Sequence, residues 1–232
     1  MVHSWHKEAQ IKWDDSAKNW AANSKEMWDE GSRKTIIPFF VKHIPLGKVV
    51  DLGCGDGYGS LKLARAGFPV IGLDLSHKMI TEAAEKTEDQ DNLSFIQGDL
   101  TALPFETEKV DAVMAINSIE WTEKPIDALK EIKRILKPGG YGCFAILGPT
   151  SGPRANSYPR LYNKEVIMNT MQAWEFLQLA EENGWELVAD TGVPKQGVDY
   201  TKLTHLSKEL QQALSFMWLF VLKKAEIQQP TS

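Results

Sequence analysis

The sequence predicts an α/β fold built on a mostly parallel sheet covered by helices on both faces, and three observations predict it. Short apolar stretches alternate with amphipathic helical patterns from Lys48 onward. Gly53, Gly55, Gly57 and Gly59 follow the first apolar stretch, where a strand gives way to a sharp turn. Later apolar stretches close on carboxylates, at Asp74 and Asp99. In open α/β sheets such strand tips form the ligand-binding edge.

The core strands expected are 48–53, 69–74, 93–98, 110–117 and 141–147, with helices between them. Pro125 suits a first helical turn, where its missing N–H would be unpaired anyway, and the Leu-Lys-Pro-Gly-Gly run at 136–140 ends the same helix in a turn. Lys130, Lys133, Arg134 and Lys137 alternate with Ile126, Leu129, Ile132 and Leu136 at helical spacing. They read as the wet face of that helix rather than as a nucleic-acid patch. A further helix presents Met171, Trp174, Leu177 and Ala180 on one face and stops at Asn183-Gly184, where glycine takes the left-handed conformation. Two apolar stretches, 186–193 and 214–222, complete the pattern.

The first turn reads Asp51-Leu52-Gly53-Cys54-Gly55-Asp56-Gly57. Bare backbone there brings main-chain N–H groups against a small anionic or zwitterionic ligand. The dinucleotide fingerprint G-x-G-x-x-G fails in both registers, because its third glycine falls on Tyr58 or on Ser60. Asp74, 21 residues after Gly53, stands where an acid accepts hydrogen bonds from both ribose hydroxyls of a nucleoside. Two further segments follow, 93–100 ending in Gly98-Asp99-Leu100 and 110–118 ending in Asn117-Ser118.

These segments closely resemble the class I S-adenosylmethionine-dependent methyltransferases, in particular the small-molecule, type 11-like branch, and the likeness runs to about residue 148. The resemblance implies a Rossmann-like three-layer sandwich with an N-terminal helical cap. Its seven-stranded sheet would be parallel except for an antiparallel last strand, with 186–193 and 214–222 as the sixth and seventh strands. It implies S-adenosylmethionine as cofactor and S-adenosylhomocysteine as product. The binding residues carried over are Asp51, Gly53, Cys54, Gly55, Asp74, Leu75, Met79, Asp99, Leu100 and Asn117. The glycine loop would lie against the methionine portion, Asp74 against the ribose, and Asp99 with the Leu100 N–H against the adenine. In-line methyl transfer relies on positioning and exclusion of water, so an acid–base residue is not strictly required. Glu120, just past the fourth strand, is the nearest base candidate by sequence, and it also reads as a helix-entry acid.

The expected division is a helical cap over 1–46, a methyltransferase domain over 47–223 with a substrate-side insertion at 148–170, and a tail over 224–232. Trp5, Trp13, Trp20 and Trp28 lie in the cap, and Trp13 and Trp20, seven apart, share a helix face. Such indoles either grip an apolar or cationic acceptor or anchor the helix. The insertion overhangs the ligand-binding edge and carries Arg154 and Tyr158. The acceptor-site candidates are therefore Trp13, Trp20, Trp121, Arg154 and Tyr158.

A chain of 232 residues, 43% hydrophobic and 25% charged, suits one large core. The net charge of −5 argues against a nucleic-acid partner. The longest apolar run, 216–222, falls far short of the roughly 20 residues a membrane span needs. With two cysteines, no disulfide framework and no signal-like start, a cytoplasmic enzyme acting on a small-molecule acceptor is expected, without membrane partner; oligomeric state is not legible. His3 and His6 have a ligand-like separation but no companion pair, so no metal is expected. Residues 117–120 read Asn-Ser-Ile-Glu, not the Asn/Asp-Pro-Pro-Tyr common in enzymes that methylate amide or nucleobase amino groups. Two rivals remain: a non-catalytic S-adenosylmethionine-binding or partner-activating subunit, and an NAD-dependent oxidoreductase, which would need the dinucleotide loop that fails above.

Overall fold

A computed structural model describes residues 4–87 and 90–225. Strands β1 (Val49–Leu52), β2 (Val70–Asp74), β3 (Leu93–Gln97), β4 (Val110–Ile116), β5 (Leu136–Leu147), β6 (Trp185–Pro194) and β7 (Ser215–Lys224) form one sheet in the order β3-β2-β1-β4-β5-β7-β6. Neighbours from β3 to β5 pair in parallel, whereas β7 runs antiparallel to both β5 and β6. The last strand is thus inserted inside the sheet and leaves β6 on the edge. Its sequence explains the placement: 217–222 is apolar on both faces, as a strand covered from both sides requires.

Period-2 alternation divides the interior into two layers. Val113, Phe144 and Phe220 face one layer, with Leu129 and Ile132 of α5 (Pro125–Ile135) and Phe176 of α6 (Ala173–Glu182). Met114, Cys143 and Leu219 face the other, with Leu63 of α3 (Tyr58–Arg65) and Ile36 and Phe40 of α2 (Ile36–His43). Helix α2 is therefore part of the sandwich. Of the segment expected as a cap, it is α1 (Trp5–Asp29) that lies over the ligand-binding edge, where Trp5, Trp13 and Trp20 line a cavity.

Three local expectations change. The 136–140 turn is absorbed into β5, with Leu136 paired to Val110 and Tyr141 to Ala112, so the intervening residues bulge out around Gly139 at φ +70°. The buried face of α6 is Ala173, Phe176 and Ala180, while Trp174 is exposed. Trp174 follows Ala173 by one residue, about 100° around the helix, which turns the indole out of the core. Among the basic residues of α5, Lys133 and Arg134 hold neighbouring loops: Lys133 donates to Asn183 O, and Arg134 to Leu103 O and Phe105 O. Lys224 closes β7 rather than beginning a tail, and 226–232 lie outside the described residues.

Candidate functional site

The parallel strands deliver their C-terminal tips to one edge, and a cavity of about 210 Å³ opens there beneath α1. At its floor the chain leaves β1 so tightly that the Gly53 and Cys54 N–H groups both donate to Leu73 O, at 2.7 and 3.0 Å. This turn needs left-handed residues: φ is +73° at Gly53 and +57° at Gly55. A Cβ on Gly53 would stand 2.5 Å from Ser118 Cβ, and one on Gly55 would stand 3.0 Å from Trp20 Nε1.

Asp74 holds the loop in place. Its Oδ2 accepts from the Gly55 N–H and its Oδ1 from the Ser76 N–H, each at 2.9 Å. Burial pushes its pKa up to about 6 against those two donors. Ser76 caps α4 (His77–Glu85) by accepting from the Met79 N–H, and its hydroxyl donates to Asp14 of α1 at 2.6 Å. At the tip beyond β3, Asp99 Oδ1 accepts from the Thr101 N–H and hydroxyl, while Oδ2 pairs with His6 Nδ1. Trp5 Nε1 donates to Trp121 O at 2.6 Å. Helix α1 is thus tied to the tips of β2, β3 and β4.

Of the residues expected around a cofactor, Gly53, Gly55, Asp74, Leu75, Met79, Asp99, Leu100 and Asn117 line the cavity; of those expected around an acceptor, Trp13, Trp20 and Trp121 do. Five others do not. Asp51 shares the face of Val49 and points to α3, where the Ser60 hydroxyl donates to it at 2.6 Å. Cys54 turns beneath the loop, its Sγ 3.0 Å from where a Gly72 Cβ would stand, and burial raises its thiol pKa. Glu120 corrects the base candidate. It is 0% exposed, its Oε1 accepts from the Leu147 N–H at 2.7 Å, and its carbonyl accepts from the Asn169 N–H. It braces β5 behind the cavity wall, and burial raises its pKa. Arg154 also braces: its guanidinium donates to Leu147 O and Met171 O, at 2.5 and 2.6 Å. Tyr158 is 55% exposed and sits edge-on to Tyr162, outside the cavity.

Arg33 and His6 also line the cavity, and neither is expected there from the sequence. Arg33, 7% exposed, lies in the connection after α1 with its guanidinium 4.8 Å from the Trp20 ring centroid and 5.9 Å from that of Trp28. Among the described residues no carboxylate pairs with it, and burial lowers its pKa to about 10. His6 is the other, recognisable only once α1 is laid across β3.

The buried carboxylate of Asp51 has a measurable consequence. Burial raises its pKa from 3.8 to about 7, so its contribution to stability is complete below pH 4 and is lost as pH rises through 7. Asp51→Asn is expected to stabilise the cofactor-free chain at pH 8 by up to about 4 kcal/mol and to leave it unchanged near pH 4. Denaturant titrations at both pH values check this; equal effects at the two would contradict it.

Residues 50–144 match the methyltransferase domain family. The chain is 32% identical over 145 residues to a malonyl-[acyl-carrier protein] O-methyltransferase of Marinomonas sp., covering 60% of this chain and 54% of that protein. It is 36% identical over 124 residues to a demethylmenaquinone methyltransferase of Staphylococcus carnosus, covering 52% and 51%. The chain thus spans about half the length of these curated relatives. A chain in the complex between the Haloferax volcanii Trm112 methyltransferase activator and a putative methyltransferase superposes with a TM-score of 0.67 at 25% identity, covering 93% of this chain and 98% of that one. The matched domain and this structural likeness support a class I S-adenosylmethionine-dependent methyltransferase, type 11-like. That assignment sets aside the dinucleotide oxidoreductase. Among the described residues, no helix is long and apolar enough to cross a membrane, and no group of three or more His, Cys, Asp or Glu is placed to hold a metal. His3 lies outside the described residues.

Proposed function

We propose that this chain transfers a methyl group from S-adenosylmethionine to a small-molecule acceptor, with α1 as the lid over the cofactor. The observation that carries the reading is the meeting in one cavity of Asp74, Asp99, the glycine loop and the guanidinium of Arg33, which has no ion-paired carboxylate among the described residues. The residues fit the cofactor. A zwitterionic amino-acid tail suits a loop in which side chains are excluded at Gly53 and Gly55, beside a buried cation that has no carboxylate of its own among the described residues. Asp74 suits the ribose hydroxyls. Asp99 suits the adenine amine once His6 yields its oxygen. S-adenosylmethionine supplies a methyl group already activated on a sulfonium. The chain's own contribution is to hold the acceptor in line and to exclude water beneath the indoles of α1. Glu120 is not assigned as a base, because its carboxylate braces Leu147.

Asp74→Ala is expected to weaken S-adenosylhomocysteine binding by about 1–3 kcal/mol, the cost of unpaired hydroxyls in a buried site. Calorimetric titration measures it, and unchanged affinity would reject the ribose assignment. For the reaction, labelled S-adenosylmethionine is incubated with the protein and a metabolite extract. Label in a small molecule is the expected result; label in nucleic acid or protein would overturn the acceptor class. The Haloferax complex with an activator lends support to a second reading, a chain that needs or serves a partner. That reading predicts tight cofactor binding with no turnover by the isolated chain across such extracts.

A further inference from the structure

The cavity is divided by the sheet itself. Beneath β1, β2 and β3 it presents the glycine loop, Asp74 and Asp99, with His6 from α1 at the β3 tip. Beneath β4, β5 and β7 it presents Ile116, Leu147 and Phe216 together with the neutral Asn117, Ser118 and Thr122, with Trp121 following β4 and Trp13 descending from α1. Asn117 Oδ1 and Ser118 Oγ are buried there with no hydrogen-bond partner. No ionisable side chain lines this second half among the described residues. Glu120 and Arg154 lie nearby but do not line it; Glu120 Oε1 accepts from the Leu147 N–H, and the Arg154 guanidinium donates to the Leu147 and Met171 carbonyls.

Resting on the methyltransferase reading above, we propose that the acceptor enters this half as an uncharged, flat, largely apolar molecule whose neutral hydroxyl pairs with Asn117 Oδ1 or Ser118 Oγ. A carboxylate or phosphate buried here would have only Arg33 as a cation, which the cofactor's own carboxylate takes on that reading, and an ammonium would find no carboxylate among the described residues lining this half; either would lose hydration without replacement. An aromatic cage for a cation is also disfavoured. The indole chain of Trp20, Trp13 and Trp121 is edge-to-face at 5.7 and 4.8 Å, and its Trp20 end already carries the Arg33 guanidinium. A second cation beside it meets like charge. The rigid corner made by Trp13 and Trp121, with interplanar angle 79°, offers flat apolar surface instead.

The test is binding, independent of turnover. The protein is saturated with S-adenosylhomocysteine, and naphthol, hexylamine and hexanoate are titrated against it by calorimetry and by indole fluorescence. Naphthol is expected to bind at least about tenfold more tightly than either ion, without displacing S-adenosylhomocysteine. Trp121→Leu is expected to weaken naphthol at least about tenfold while keeping S-adenosylhomocysteine affinity, which also shows that the variant folds. Tighter binding of hexylamine or hexanoate, no naphthol binding at millimolar concentration, displacement of S-adenosylhomocysteine by naphthol, or unchanged naphthol affinity in Trp121→Leu would each overturn the proposal. Failure of the folded protein to bind S-adenosylhomocysteine at all would instead overturn the methyltransferase reading.

Discussion

Gly55→Val is expected to weaken S-adenosylhomocysteine binding by about 3 kcal/mol or more, roughly 150-fold, in a chain that still folds. Three effects act together at this residue. Its φ of +57° lies in the left-handed region, which a β-branched side chain occupies only under strain. Its new Cβ would stand 3.0 Å from Trp20 Nε1, and the γ-methyls would reach further into the cavity. Its N–H also orients Asp74 Oδ2, so relief of strain by turning the peptide disturbs the carboxylate assigned to the ribose. Gly55→Ala keeps the strain with less bulk and is expected to fall between wild type and valine. Calorimetry on both variants, with circular dichroism to verify folding, checks the series; a folded valine variant with wild-type affinity would remove the loop from the binding site.

Arg33→Met is expected to weaken S-adenosylhomocysteine by about 2–4 kcal/mol while leaving methylthioadenosine, which lacks the amino-acid tail, nearly unchanged. A desolvated guanidinium without a carboxylate is costly to keep, and a ligand carboxylate is the partner that would offset the cost. The cofactor-free variant should therefore be no less stable than wild type, since methionine retains apolar contact with Trp20 and Trp28 and leaves no buried charge. The two outcomes separate a ligand anchor from a packing residue. Equal weakening of both nucleosides, or a large loss of stability without change in affinity, would assign Arg33 to packing.

The strand tips were legible because their signals are local. Gly53, Gly55, Asp74 and Asp99 each follow a short apolar stretch, and parallel pairing then carries them to one edge. Position along the chain does not fix direction in space. Glu120 and Arg154 come close to the cavity but do not line it, and they bond main-chain groups of Leu147 and Met171. Tyr158 is exposed and lies outside the cavity, whereas Pro153 of the same segment lines it. Trp174 shows the same limit on a helix, where a one-residue difference in register separates core from solvent.

By itself the sequence determined the alternation of strands and helices, the glycine turn and the spacing of the acids, because each depends on neighbours a few residues away. Tertiary structure alone decided that β7 enters between β5 and β6, that α1 brings His6 to Asp99 across 93 residues of chain, and that Arg33 is buried with no carboxylate partner among the described residues. Those arrangements join segments remote in sequence. They are set by which surfaces can be desolvated together, and no local pattern of residues encodes that choice.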